Sequence, residues 1–220
     1  LGIVGDDRRD ISLAKLIATA YFLLGKYVQA FGVYAAERTG APLQAFVRID
    51  DDEIINHNQI RTPDHVVVLD RTLIGPAVLQ GMNPAGWIIL NTPDPPEAFG
   101  EAFAGRNVAV VDATRLAVVN GLGTKTVPIV NTTIFGAVAR VFNLAPENIE
   151  AAFEEVNFAG ANLTSARQAY EQVRCMHLSG LLEASTPPPA PAAPASLFES
   201  DTGERPRIRT GGWANRKPER

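Results

Sequence analysis

The 220-residue chain has few of the side chains that hold metals and carry electrons: one cysteine, Cys175, and three histidines, His57, His65 and His177. An iron–sulfur cluster generally takes four cysteine ligands, so this chain cannot hold one by itself. A single cysteine also rules out an internal disulfide. The histidines lack the close spacing of a zinc or iron site, so no metal site is expected. No apolar run approaches the roughly 20 residues that span a bilayer, and we expect no membrane insertion. A basic stripe is missing as well: the formal net charge is −4, which speaks against a nucleic-acid partner. There is no charged stretch followed by an apolar export core, so a cytoplasmic location is expected. The chain opens on Leu1, and we expect a few residues to precede it. Walker loops, Gly-x-Ser-x-Gly elbows and His–Glu metal patterns are all absent, and no nucleophile–base set emerges.

What is present is a globular composition, 46% hydrophobic and 20% charged. Short apolar runs at residues 2–4, 44–49, 65–70, 87–90 and 108–112 read as strands. Most are continuous rather than alternating, as when helices cover both faces of a parallel sheet. Helical patterns intervene. Leu13, Leu16, Ile17, Ala20, Leu23 and Leu24 share one helical face, and Gly25 follows as a stop. Further helices are expected at 71–80, 113–122, 134–142, 146–156 and 163–182. This alternation predicts an α/β fold, a three-layer, mostly parallel sheet flanked by helices, over residues 1–184. Residues 185–196, STPPPAPAAPAS, form a Pro/Ala-rich linker. Residues 197–220 are charged and aperiodic, and Trp213 is an anchor candidate for a pocket on another protein.

Three stretches carry candidate chemistry. The first strand runs into Gly5-Asp6-Asp7-Arg8-Arg9-Asp10, where nucleotide-binding α/β proteins have a glycine-rich phosphate turn. Only Gly5 remains here. Three carboxylates repel a phosphate, so a capped helix start is the simpler reading, with Arg8 and Arg9 as the alternative phosphate contacts. Glu37-Arg38-Thr39-Gly40 is either a solvated ion pair or a contact surface. Its Arg38, joined by Arg48, has the fork geometry that grips a phosphate or carboxylate. Asn131-Thr132-Thr133, after Pro128, reads by default as a helix N-cap, with a ligand role as the alternative. Asp112, at a strand end, likewise reads as a cap.

The stretch 25–50, GKYVQAFGVYAAERTGAPLQAFVRID, resembles the signature of the gamma subunit of 2-oxoacid:ferredoxin oxidoreductases. The resemblance continues through Pro63-Asp64-His65 and the apolar run after it, Gly86 to Asn91, Val111-Asp112-Ala113-Thr114, Pro128-Ile129-Val130-Asn131-Thr132 with Phe135-Gly136-Ala137, and Glu147 to Glu155. It implies a supporting subunit of an enzyme that oxidatively decarboxylates a 2-oxoacid, most often to an acyl-CoA. The implied complex holds thiamine pyrophosphate with Mg2+ between alpha and beta subunits, and [4Fe-4S] clusters on beta and delta. None of these is implied for this chain alone. CoA is the implied co-substrate. Glu37, Arg38, Gly40, Arg48, Asn131 and Thr132 become candidates for ligand or subunit contact. In the tail, Thr210-Gly211-Gly212-Trp213 with Arg216 and Pro218 is similar to the opening of a delta subunit. It implies that Trp213 and Arg216 dock on the cluster-bearing partner. Against the family pattern G-x-G-G-Q-G, the loop at Gly5 is degenerate. Phenylglyoxylate is a specific substrate guess, resting on the composition of the linker. The rival readings are a stand-alone nucleotide- or CoA-binding protein and a structural scaffold.

Overall fold

The computed structural model describes residues 1–5, 9–33, 43–56, 58–158 and 160–178. Seven strands form one sheet: β1 (Gly2–Gly5), β2 (Tyr27–Val33), β3 (Leu43–Asp50), β4 (Val66–Val68), β5 (Trp87–Asn91), β6 (Arg106–Val111) and β7 (Arg174–Leu178), in the order β2-β3-β1-β4-β5-β6-β7. The central strands β1, β4, β5 and β6 run parallel. The flanking pairs β1–β3, β2–β3 and β6–β7 are antiparallel. The α/β fold class is as expected, with a mixed sheet.

The apolar runs are explained by burial on both faces. Val67, Ile89, Ala109 and Val111 face one core, while Val66, Val68, Ile88, Leu90, Val108 and Val110 face a second. The two covers differ in kind. The five helices of the described residues all pack into the first core: α1 (Arg9–Leu23), α2 (Ala113–Val119), α3 (Asn131–Val141), α4 (Pro146–Glu155) and α5 (Ala161–Gln172). Over the second core lie 3-10 turns at Arg71–Leu73, Pro76–Leu79 and Pro96–Phe99, which contribute Leu73, Val78, Leu79 and Phe99.

Two expectations are corrected here. Residues 71–80 do not form a helix. Gly75-Pro76 splits the segment, since proline disfavours helical backbone at the residue before it. The long helix expected at 163–182 ends at Gln172, and Arg174–Leu178 pairs with β6 as an edge strand. The strand Tyr27–Val33 was not expected from the pattern.

Helix α3 is buried along nine consecutive residues, Asn131 to Ala139. Gly136 sets its approach to α5, because a Cβ there would lie 1.8 Å from the Ala166 carbonyl oxygen. We predict that Gly136→Ala destabilises the domain by about 3 kcal/mol through backbone displacement, against the better intrinsic helix propensity of alanine. Chemical denaturation checks this; an unchanged midpoint would mean that α5 yields freely.

His65 opens β4, and its Nδ1 accepts a hydrogen bond from the Trp87 backbone N–H at 3.0 Å. Burial lowers its pKa below the ordinary 6.5, while Asp64 acts in the opposite direction. The neutral ring is the folded form, so the unfolded chain takes up the proton first as pH falls. Its contribution to stability is present above pH 6.5 and is lost as pH drops below it. Thermal melts between about pH 7 and about pH 5 should therefore fall more steeply for the native chain than for His65→Gln.

Candidate functional site

The parallel strands deliver polar residues to their carboxyl edge. After β1 the chain turns onto the α1 face, whereas after β4 it turns onto the 3-10 face, which leaves a crevice between neighbouring strand ends. Ligands of open α/β sheets favour this position. A cavity of about 660 Å³ lies there, lined by Asp10, Asp70, Arg71, Asn91, Asp112 and Arg115, with Pro128 and Val130 on its wall.

Most of these side chains are committed to the protein itself. Asp70 accepts from the Thr72 N–H at 2.8 Å and its hydroxyl at 2.7 Å, capping the first 3-10 turn. Asn91, at the end of β5, donates to the Leu69 carbonyl at 2.8 Å and to Thr114 Oγ1 at 2.9 Å, and accepts from the Thr114 N–H at 3.1 Å. It ties β4, β5 and α2 together. Asp112 caps α2 through the Arg115 N–H at 2.8 Å, as its strand-end position implied. Arg115 lies 3.7 Å from Asp112 and bonds Gln172 Oε1 at 2.9 Å. Arg71 pairs with Asp94 at 3.2 Å. Both guanidinium groups are already partnered by carboxylates, and three aspartates line the walls. The donor set does not fit a pyrophosphate.

Gly5 is where the degenerate turn begins. A Cβ there would fall 2.1 Å from Asp10 Oδ1, so the glycine makes room for a carboxylate where phosphate-binding relatives of the fold make room for a ligand. Asp10 sits in the first turn of α1 and is 1% exposed. Arg8 lies outside the described residues, as does the side chain of Arg9.

The remaining candidates are scattered. Arg48, on β3, donates to Gln29 Oε1 at 2.5 Å, to the Asn56 carbonyl at 2.9 Å and to the Asn58 carbonyl, and it stacks over Phe31. The structure places it as a clamp on the loop after β3. Asn131 and Thr132 open α3, but Val130 is the N-cap residue and no side chain caps that helix; the expected cap is corrected. Thr132 instead donates to Asn162 Oδ1 at 2.9 Å, and Thr133 meets Ser165 at 2.7 Å, both on α5. Asn131 Oδ1 is buried with no hydrogen-bond partner among the described residues. Glu37, Arg38, Gly40, Trp213 and Arg216 lie outside the described residues. Burial raises the Cys175 thiol pKa, which keeps it a poor nucleophile. Among the described residues, no group of three His, Cys, Asp or Glu is placed to hold a metal ion, and no helix is long and apolar enough to cross a membrane. Asn91 entered the sequence reading only as the end of the family-like stretch from Gly86, with no role assigned; its one further signal is a polar residue closing a largely buried strand.

Residues 11–172 match the family described as pyruvate ferredoxin/flavodoxin oxidoreductase. The chain belongs to this family. Within it the chain is of the gamma type. It is 38% identical over 174 residues to the pyruvate synthase subunit PorC of Thermotoga maritima, covering 74% of this chain and 88% of that one. It is 41% identical over 177 residues to the common gamma subunit of the pyruvate/ketoisovalerate oxidoreductases of Pyrococcus furiosus, covering 76% and 92%. The crystal structure of the Thermotoga maritima PorC subunit superposes with a TM-score of 0.67 at 35% identity, over 79% of this chain and 96% of the other. A keto/oxoacid ferredoxin oxidoreductase gamma subunit from Geobacter sulfurreducens, 17% identical with a TM-score of 0.56, shares the fold. The gamma-type chain is thus an oxidoreductase subunit, and the polar groups of its carboxyl-edge cleft are largely engaged in its own ion pairs and caps.

In this gamma-type domain Asn91 is the central staple of the cleft. Asn91→Ala should cost about 2 kcal/mol, since it strands the buried Leu69 carbonyl and frees the start of α2. Urea unfolding measures this, and a loss of only a few tenths would show that water replaces the amide.

Proposed function

We propose that this gamma-type chain is a non-redox subunit of a thiamine- and iron–sulfur-dependent complex that oxidatively decarboxylates a 2-oxoacid. The products are acyl-CoA and CO2, and the two electrons pass to clusters on partner subunits. The observation that carries this reading is the likeness to PorC chains across nearly the whole domain, in a sequence whose single cysteine cannot ligate a four-cysteine cluster. Alpha, beta and delta chains are the partners in this reading, and the cytoplasm is its location. Thiamine pyrophosphate with Mg2+, and the clusters, sit on those partners. No described residue of this chain is assigned to them.

CoA is the co-substrate in this reading, but the cleft at the carboxyl edge is not its seat, for the electrostatic reason given above. Arg38 with Glu37 and Gly40 is the candidate contact, facing either CoA or a catalytic subunit. Pyruvate is the first 2-oxoacid to test, because the named activities of the relatives include it, and ketoisovalerate is the second. Phenylglyoxylate is the third, resting on the linker composition alone.

Anaerobic pull-down of the tagged chain from its source, with iron and thiamine analysis and 2-oxoacid-dependent reduction of ferredoxin, tests the assignment. Thiamine- and cluster-bearing subunits should co-purify, and the eluate should be brown. A colourless, solitary protein would overturn it. Within an active complex, Arg38→Ala should raise the KM for CoA several-fold with assembly intact if Arg38 touches CoA. Dissociation of the complex would place Arg38 at a subunit interface instead.

A further inference from the structure

Of the two edges of the sheet, one is blunted and the other is not. Strand β7 is five residues long, and its sequence RCMHL sets Arg174 and His177 at exposed positions. Short length and charged side chains are devices by which a sheet edge avoids pairing with another chain. Strand β2 has neither. It runs for seven residues as YVQAFGV, without a charge or a proline. Its register with β3 is unbroken from Tyr27 opposite Asp50 to Val33 opposite Gln44, so no bulge twists the edge away. Among the described residues no strand pairs with its outer side. We infer that β2 pairs with β2 of a second copy of this chain, antiparallel and about a two-fold axis at Ala30, joining two sheets into one.

The first support is the backbone. Every second residue of an edge strand turns its N–H and C=O outward, which leaves roughly three or four outward residues along β2. A strand of the same length, without bulges of its own, pairs with all of them. A second copy supplies that strand by construction.

Side chains are the second support. Val28 and Ala30 belong to the core on the α1 side. Phe31 lies on the other side, where its ring meets Phe46 with centroids 5.6 Å apart, and Tyr27 and Val33 share that face by alternation. All three are only half-buried. Two-fold pairing sets Tyr27 opposite Val33 of the other copy, Phe31 opposite Gln29, and Ala30 opposite itself. An aromatic ring beside a β-branched side chain is a favourable cross-strand pair, and no like charges meet along the joint. With the axis perpendicular to the sheet, the helical side of one copy continues into the helical side of the other.

The third support lies at the strand ends. Helix α1 leads into β2 through Gly25 and Lys26, and there Leu23 and Leu24 are 45% and 41% exposed. Antiparallel pairing brings the start of each β2 to the end of the other, so these leucines come to lie beside the second copy's strand. The one charge at the start of β2, Lys26, is already matched by Asp51 of its own copy. A strand from an unlike subunit is the competing occupant, and it lacks the built-in match of length and register.

A cross-link map of the full chain tests this, in a Cys175→Ser background that removes the native thiol. Opposed residues of antiparallel strands have Cα atoms about 4.5–5.5 Å apart, within reach of a disulfide. Under mild oxidation the Ala30→Cys chain should cross-link to a second copy of itself, or a mixture of Tyr27→Cys and Val33→Cys chains should cross-link to each other. The two pairs fall on opposite phases of the ladder, so one of them is of the closer, non-hydrogen-bonded kind. Tyr27→Cys alone should give no two-chain product, because its two copies stand about 20 Å apart along the joint. In sedimentation velocity the native chain should form a dimer as concentration rises. Val33→Lys gives β2 the kind of charge that β7 carries, and it should raise the dimer dissociation constant by at least about tenfold with the melting transition kept. If that variant does not fold, the cross-link map still decides. A native chain that stays monomeric at every concentration overturns the inference and leaves the edge to other residues of the same chain or to solvent. So does a dimer that forms neither cross-link or that a folded Val33→Lys chain retains, since its contact is elsewhere. Cross-linking of the Ala30→Cys chain only to a different, co-purified subunit overturns it as well and gives the edge to an unlike strand.

Discussion

The domain depends on one close approach of backbone to backbone, α3 against α5 at Gly136. Helix α3 is apolar around most of its circumference and is buried from Asn131 to Ala139. Such a helix needs protein on every side. The sheet and α1 supply part of that cover, and α5 the rest. At this distance the polar start of α3 must be satisfied locally, and Asn162 and Ser165 on α5 accept that role for Thr132 and Thr133. A side chain at Gly136 would push α5 outward and break both pairs together. The residues of the Asn-Thr-Thr stretch are therefore shaped first by packing.

The two ends of the sheet have been put to different uses. At the carboxyl edge, Asp70 and Asp112 cap the segments that follow them, Asn91 staples three elements, and Gly5 yields its space to Asp10. A crevice that other α/β proteins keep open for an anion is here lined by carboxylates and internal bonds. A larger opening lies at the amino edge, where Asp50 and Asp64 share the lining with Arg48 and Arg61.

The central strands were legible in the sequence because both of their faces are buried. Val66–Val68 and Trp87–Asn91 are nearly unbroken apolar runs, and no other element gives that pattern at that length. The cap at Asp112 was legible for a local reason, as its carboxylate acts three residues away. The edge strands were not. Arg174–Leu178 reads RCMHL, with no alternation, and its strand character comes from β6 presenting an open ladder. Tyr27–Val33 sits at the other edge for a similar reason. The loop-clamping role of Arg48 was hidden because its partners are backbone carbonyls, Asn56 and Asn58, which leave no trace in residue type. The staple at Asn91 joins residues more than twenty positions apart and is visible only when β4, β5 and α2 are brought together.

The unequal cover of the sheet has a consequence for how the domain breathes. On one side, long helices return many cooperative hydrogen bonds and a continuous core; on the other, three- and four-residue turns shield Val66, Ile88 and Val108 with few bonds of their own. Short turns open locally at little free-energy cost, while the helical side opens only with the whole domain. Amide protons of the turns thus exchange on a faster clock than those of α3, and the molecule has a soft cover and a slow cover on the two faces of a single sheet.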